Sequence, residues 1–432
     1  MKPVRPRACL WLTIAAGILF FTLSCVTAEP SYRNELGRIP TASEALEAWG
    51  LPQVMVNDPQ VYRDGAFWAK RAVELIGQAR ESIVAIVFLG SWSPQTEPIY
   101  RALIAKAREG LPVYVVIDAS SSFEYTASSL KMKSLQLLRE HGVHLLEYNP
   151  LAIERIFMLP RLLLREHRKY LVVDGMTVAL GGMNFNYASL QDSSHPEGQR
   201  DSMYVFQAPQ LASLLLEGFV DFWNDNSWDH LAPDTFNRAV LQESLPQGTM
   251  RAWVADQLAG EDKISRMFTA MFDAATEEVL MLPMMPFLSN EMKESVRKAV
   301  DRGVVVRMLL PYDMREANRE PVEYAALDLL DLGIELYRER KPIDGVRIPL
   351  LHEKLMIVDK SYAIIGSANF NLRSMRLANE LSLVVEGEEF TSRLRAHFEM
   401  LMQDAQLVTR EEASGWRNLE TIPTYLYLYF GG

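Results

Sequence analysis

Cysteine is nearly absent from this chain: its 432 residues include only Cys9 and Cys25, both within the first 28 positions. The body beyond them therefore offers no disulfide, no thiolate metal site and no cysteine nucleophile. Basic charge is also short, with 44 Lys and Arg against 55 Asp and Glu, a net charge of −11. Lys2, Arg5 and Arg7 lie in a leader without acids, and setting them aside leaves the body at −14. An acidic body is poorly suited to general nucleic-acid binding, which depends on neutralising phosphates with Lys and Arg. It also disfavours broad adhesion to anionic lipid, although a local basic pocket stays compatible with it. No His/Asp cluster at ligand spacing stands outside the motifs described below, so neither a metal nor a cofactor is expected.

Long uncharged runs are equally rare, and the one that exists is N-terminal. Residues 1–28 have a basic start followed by an uncharged stretch from Ala8 to Ala28, the pattern of a secretory leader. Val26-Thr-Ala28 suits ordinary signal cleavage, Thr22-Leu-Ser-Cys25 is similar to a lipobox that would place a lipid on Cys25, and the stretch is just long enough to serve as an uncleaved anchor. Each route leads to the periplasm or cell envelope.

What is present is a repeat. His167–Asn184 reads HRKYLVVDGMTVALGGMN and His352–Asn369 reads HEKLMIVDKSYAIIGSAN. At a single offset of 185 residues, His167/His352, Lys169/Lys354, Asp174/Asp359, Gly181/Gly366, Gly182/Ser367, Asn184/Asn369 and Ser189/Ser374 coincide. Each copy predicts a strand, a turn at the Asp and a second strand. On an extended segment, His and Lys two apart share a face. Imidazole can attack phosphorus or pass a proton near neutral pH, and an ammonium presents three donors to phosphate oxygens. Small residues at Gly182 and Ser367 allow close backbone approach, and Asn184 and Asn369 add donors, so all four are candidate substrate-binding positions. One copy is half of a double-displacement site. Two copies facing each other supply a nucleophile, a general acid, two lysines and two asparagines around one anion. A lysine ~4 Å from a phosphate oxygen is worth up to ~4 kcal/mol at an effective dielectric near 20.

The doublet resembles the signature of the phospholipase D superfamily, His-x-Lys-x4-Asp followed by Gly-Gly/Ser-x-Asn, and is most similar to bacterial cardiolipin synthase-like proteins. Arg165-Glu166-His167-Arg168-Lys169, Arg200-Asp201 with Tyr204-Val205, and Arg373-Ser374 with Asn379-Glu380 extend the likeness. The resemblance implies an active site in the cleft between the two halves, a phosphohistidine intermediate, and no metal. It makes His167, Lys169, Asp174, His352, Lys354 and Asp359 the catalytic signature, with His167 as nucleophile and His352 as acid, an order that rests on the family alone. Asp201 and Glu380 resemble the carboxylates that orient the two imidazoles. Asp174 and Asp359 belong to the signature, but a carboxylate at a strand end beside a turn is better placed to fix the loop than to touch substrate.

Along the chain, helices and strands alternate in the same order twice, which predicts an α/β protein of two similar domains. Each is a mostly parallel or mixed sheet flanked by helices, the two related by a pseudo-two-fold. The boundaries read as leader 1–28, linker 29–55, first domain 56–235 and second domain 236–432. Residues 188–200 have no counterpart in the second half and read as a loop near the cleft mouth, with His195 a solvated loop residue. Phe219 and Trp223 read as helix packing. The tail Tyr425–Phe430 reads as a terminal edge strand or an interfacial membrane contact.

These readings converge on an envelope enzyme that transfers a phosphodiester on phospholipid head groups, either a cardiolipin synthase-like phosphatidyltransferase or a phospholipase D. Its partners are then a phospholipid substrate and a membrane surface, with no nucleic acid. An exported phosphodiesterase or nuclease of the same superfamily is the alternative and predicts a basic cleft. A silent scaffold would lack a motif His or Lys, and none is missing.

Overall fold

Both halves place apolar, β-branched runs between amphipathic helices, so each strand is covered on two faces; Ile83–Val87 and Val113–Asp118 are buried at every position. The computed structural model describes residues 38–120, 135–149, 164–236, 248–314, 316–342 and 347–429. The leader, with Cys25, lies outside the described residues, and no described helix is long and apolar enough to cross a membrane.

The first sheet has seven strands in the order Gln60–Tyr62, Met203–Gln207, Thr177–Gly181, Tyr170–Val173, Ile83–Val87, Val113–Asp118 and His144–Tyr148. Only the last three pair in parallel; the motif hairpin and its neighbours are antiparallel. The sheet is therefore mixed, because a hairpin appended to a βαβ run pairs antiparallel. The second sheet repeats the arrangement with the motif hairpin Leu355–Val358 and Tyr362–Gly366 beside Glu278–Leu282, Val305–Leu310 and Glu335–Glu339.

The two sheets share a core. Val84, Ile86, Tyr170 and Phe206 of the first pack in one buried cluster with Leu280, Leu282, Ile357 and Leu383 of the second, together with Phe219 and Trp223 from the helix Pro209–Asn226. Separate clusters lie under the outer helices of each sheet.

Two segments differ from the sequence reading. Residues 29–55 are not all linker: Ala42–Ala48 is a helix with a Thr41/Glu44 capping box, and Gln53–Val56 is a strand paired with Met250–Gln257. The segment before the first domain thus belongs to the second sheet. Its capping signature, Thr-x-x-Glu ahead of Ala45 and Leu46, was the available signal. The tail is also not a strand. Ile422–Tyr429 is a helix, with Pro423 in its first turn and Tyr425 packed against Phe287 and Tyr324 at 5.6 and 5.0 Å between ring centroids. Spacing of three and four residues brings Tyr425, Leu428 and Tyr429 onto one face, which outweighs the two-residue alternation. Phe430 lies outside the described residues.

Asp174 and Asp359 close the hairpins. Both adopt left-handed backbone, φ 55° and 52°. The Asp174 carboxylate accepts from the backbone N–H of Arg80, Glu81 and Ser82 at 3.0, 2.8 and 3.1 Å. Asp359 does the same for Thr276, Glu277 and Glu278 at 3.0, 2.8 and 3.0 Å. Each fastens the far end of its hairpin to the start of the neighbouring strand, the end away from the His and Lys. Asp174→Ala or Asp359→Ala is expected to lower unfolding free energy by about 2–3 kcal/mol through lost charge-assisted bonds. Chemical denaturation followed by circular dichroism measures this; turnover lost at unchanged stability would place these carboxylates in the chemistry instead.

Candidate active site

Each His-x-Lys segment is an extended connection leading into its hairpin, rather than part of the strand itself. Just before it, a two-residue strand pairs with the opposite half of the molecule. Arg165–Glu166 runs parallel to Ala378–Asn379, and Leu350–Leu351 runs parallel to Gln199–Arg200. The ladders continue into the histidines: the His167 N–H donates to the Asn379 carbonyl at 2.9 Å, and the His352 N–H to the Arg200 carbonyl at 2.8 Å. The end of the 188–200 insertion thus borders the second histidine.

The side chains follow the same exchange. His167 Nδ1 lies 2.8 Å from Glu380 Oε1, and His352 Nδ1 lies 2.6 Å from Asp201 Oδ2. Each imidazole is oriented by the carboxylate of the other half. An ionised carboxylate only accepts, so Nδ1 carries the hydrogen and Nε2 keeps its lone pair. Glu380 is itself held by the hydroxyls of Ser367 and Ser374, at 2.5 and 2.6 Å. Asp201 occupies the corresponding space beside Gly182, where a Cβ would meet its oxygens at 2.2 and 2.3 Å. Gly182 and Ser367, read from the sequence as substrate-binding, thus position the two carboxylates. The Gly/Ser difference between the motifs matches the Asp/Glu difference on the next strand.

The lysines are buried too, Lys169 at 1% and Lys354 at 5% exposure. Lys169 Nζ donates to the His167 carbonyl at 2.6 Å and lies 5.3 Å from the Phe88 ring centre. Lys354 Nζ bonds the His352 carbonyl and rests 2.8 Å from that imidazole's Nδ1. Asn184 Oδ1 accepts from the Leu89 N–H at 3.0 Å, which leaves its amide nitrogen as a donor. Asn369 Oδ1 is buried without a partner. Phe88, 4.8 Å from the His167 ring, was not picked out from the sequence; its place just after the strand Ile83–Val87 was the only hint.

Beneath these groups lie buried charges that periodicity does not reveal. Arg168 bonds Glu166 at 2.8 Å and Asp256 at 3.0 Å, and Glu166 receives the Asn379 amide at 2.8 Å. At the equivalent position Glu353 accepts from Ser202 at 2.5 Å and pairs with His397 at 2.8 Å. His397, given no role from the sequence, therefore braces the segment between His352 and Lys354. Among the described residues no group of three or more His, Cys, Asp or Glu is placed to hold a metal.

Burial sets the electrostatics. Desolvation, only partly countered by Glu380, brings His167 down to about 4; desolvation together with Lys354 brings His352 to about 4. Desolvation lowers Lys169 to about 7 and Lys354 to about 8 against the pull of Glu380 and Asp201. Burial alone would raise Glu380, but His167 and Lys169 bring it below its usual range. Near neutral pH the free site thus holds two neutral imidazoles, an ionised Glu380 and ammonium groups close to their titration points. It is poised for an incoming anion, which would favour the charged form of every nitrogen.

Two imidazoles, each oriented by the carboxylate of the other half and each beside a buried lysine, match the paired signature of the phospholipase D superfamily. The sequence family described as "cardiolipin synthase, PLD-like domain" matches residues 72–223 and 268–402, and the chain belongs to this family of enzymes. It is 28% identical over 377 residues to cardiolipin synthase A of Pseudomonas entomophila, covering 86% of this chain and 74% of that one. It is 25% identical over 364 residues to a minor cardiolipin synthase of Bacillus subtilis, covering 83% and 84%. Among solved structures, the fold is similar to the phosphatidylserine synthase of Haemophilus influenzae, with TM-score 0.65 at 15% identity over 90% of this chain and 96% of that one. It is also similar to a polyphosphate kinase of Porphyromonas gingivalis, with TM-score 0.52 at 13% identity over 93% and 56%. These two likenesses speak to fold alone.

The titrations predict a pH profile. A neutral nucleophile needs pH above about 4, and charged lysines need pH below about 7 to 8. For a phosphodiester substrate, kcat/KM is expected to be highest between these limits and to fall as pH rises through the lysine range. A profile flat to pH 10 would show that these lysines do not titrate in the free enzyme.

Proposed function

We propose that the chain transfers phosphatidyl groups between alcohols in the manner of a cardiolipin synthase, with water as the competing acceptor. The crossed histidine pair carries this reading: two imidazoles, each held at Nδ1 by the other half's carboxylate, with Nε2 the reacting nitrogen and that of His352 3.2 Å from Lys354 Nζ. His167 Nε2 attacks the phosphorus of a phospholipid, and the bond from phosphorus to the head-group oxygen breaks. The leaving oxygen takes its proton from His352 Nε2. The acceptor's O–H then gives its proton to His352 as its oxygen attacks phosphorus, and the N–P bond to His167 breaks. Glycerol-bearing head groups as acceptors yield cardiolipin; water yields phosphatidic acid.

The order, His167 as nucleophile and His352 as acid, follows the family resemblance. A phosphorylated imidazole is cationic, and the crossed carboxylate opposes the desolvation of that charge at each histidine, Glu380 at His167 and Asp201 at His352. At His352, Lys354 adds to the desolvation that disfavours the charged form. A bound diester that draws Lys354 onto its oxygens removes that contact and lets His352 take up the proton an acid needs. Lys169, Lys354, Asn184 and Asn369 then surround the phosphate, where charge building in the transition state raises their worth. The leader pattern of residues 1–28 supports an envelope location facing phospholipid.

The test uses protein lacking residues 1–28, incubated with phosphatidylglycerol, phosphatidylethanolamine or plasmid DNA. Lipid products are expected, cardiolipin for a synthase or phosphatidic acid for a hydrolase. His167→Ala is expected to abolish them, and His352→Ala to slow them about 10²- to 10⁴-fold. Radiolabelled phospholipid should leave acid-labile label on the His352→Ala protein but not on the His167→Ala protein. Plasmid cleavage with inert lipids would replace this reading with a nuclease.

A further inference from the structure

The two lysines stand differently beside their histidines, although both motifs carry the same His-x-Lys pair. Lys354 Nζ lies 2.8 Å from His352 Nδ1 and 3.2 Å from its Nε2. Lys169 Nζ bonds the His167 carbonyl at 2.6 Å but, among the described residues, makes no hydrogen bond to the His167 ring. It faces Phe88 instead, 5.3 Å from the ring centre. Phe88 is half-buried, and its ring also lies 4.8 Å from that of His167, tilted by 59°. One aromatic side chain thus meets both the imidazole and the ammonium of the first motif.

The second half has no such ring at this place. Ile86 faces Tyr170 across its ladder as Leu282 faces Leu355, so the strands Ile83–Val87 and Glu278–Leu282 stand in the same register to their motifs. Two residues further on, Phe88 corresponds to Met284, which is buried and carries no aromatic face. A cation is drawn to the face of an aromatic ring by the ring's quadrupole, most strongly where water is excluded. With the ring present, the ammonium sits over it; without the ring, the ammonium settles beside the imidazole. The electrostatics agree. After desolvation, Lys354 is the largest influence on His352, whereas at His167 Glu380 comes ahead of Lys169.

We propose that Phe88 is a positioning residue: its ring holds the Lys169 ammonium off the His167 imidazole and so keeps that imidazole the better nucleophile of the two. Positive charge builds on His167 as Nε2 bonds phosphorus, and a cation against the ring would oppose it. This role in phosphorus transfer rests on the phosphatidyl-transfer reading; the effect of the ring on the lysine and the imidazole does not.

Carbethoxylation by diethyl pyrocarbonate measures the nucleophilicity of each imidazole without turnover, so failure of phosphatidyl transfer would leave it unmoved. At pH 6 both imidazoles are neutral, at about 4, and the lysines charged, at about 7 and 8. Full-length protein is treated, and His167 and His352 are followed separately by peptide mass spectrometry. His167 is expected to react faster than His352. In Phe88→Met, which copies the second half, and in Phe88→Leu, the His167 rate is expected to fall at least about fivefold, the effect of a unit charge arriving at ~4 Å in a water-like dielectric. His352 should keep its rate. Phe88→Tyr should retain the parent behaviour, and adding Lys169→Met to Phe88→Met should restore the His167 rate. A merely structural role would act the other way, because a smaller side chain opens the site to the reagent. Lys169→Met alone, with Phe88 in place, is expected to change the His167 rate less than about twofold, and this arm does not depend on the folding of any Phe88 variant. The role is overturned by a wild-type His352 that reacts as fast as His167, by an unchanged or raised His167 rate in Phe88 variants folded by circular dichroism, by an equal fall at both histidines, or by a large rise in Lys169→Met alone.

Discussion

The molecule depends on an exchange across its pseudo-two-fold. Glu380 holds His167 and Asp201 holds His352, and the backbone ladders from Asn379 and Arg200 end on the same two histidines. Neither half can orient its own nucleophile. Tautomer, ring direction and backbone position at each reacting nitrogen are set by the partner half, so the chemistry exists only where the interface does. This explains why the two sheets share a buried core rather than meeting through a thin polar contact. A loose interface would let the carboxylates drift, and a drift of about 1 Å can reduce rates about a hundredfold.

The same exchange makes an otherwise costly cluster tolerable. Lys169, Lys354, Asp201 and Glu380 are all buried. Desolvation opposes the charge on both lysines, and each is partly restored by carboxylates that also serve a histidine. The cluster is balanced in sign but not rigid in protonation, because its nitrogens titrate near or below neutrality. An arriving diester therefore changes the protonation of the site as well as its occupancy.

Much of this was legible in the chain, for identifiable reasons. A repeat at constant offset marks the motif residues irrespective of fold, and the Asp beside each turn announced its local role. Alternating helices and strands established the α/β class. The crossing was not legible, because Asp201 and Glu380 lie after their own motifs and sequence order carries no sign of which histidine they reach. The early segment was misread because helix Ala42–Ala48 is short and strand Gln53–Val56 joins a sheet whose other strands come some 200 residues later. The tail was misread because strict alternation of aromatic and aliphatic residues also satisfies a helix whose contacts come from positions 425, 428 and 429. Buried braces such as Glu353 with His397 follow no periodicity at all; they are charges that only a tertiary partner accounts for.

The crossing also accounts for where the halves have diverged. In a dimer of identical chains, every change beside one histidine would be repeated beside the other. A fused chain is free of that constraint. Gly182 faces an Asp where Ser367 faces a Glu, and Arg168 lies within an acidic cradle where Glu353 is bound by a Ser and a His. The insertion 188–200 exists in the first half only, where it supplies the strand Gln199–Arg200 that pairs with Leu350–Leu351. Each of these differences leaves both crossed carboxylate–histidine bonds in place. In the proposed double displacement one nitrogen accepts phosphorus and another gives and takes a proton. A fold with near-symmetric machinery reaches that division by changing the environment of each histidine while keeping its support the same.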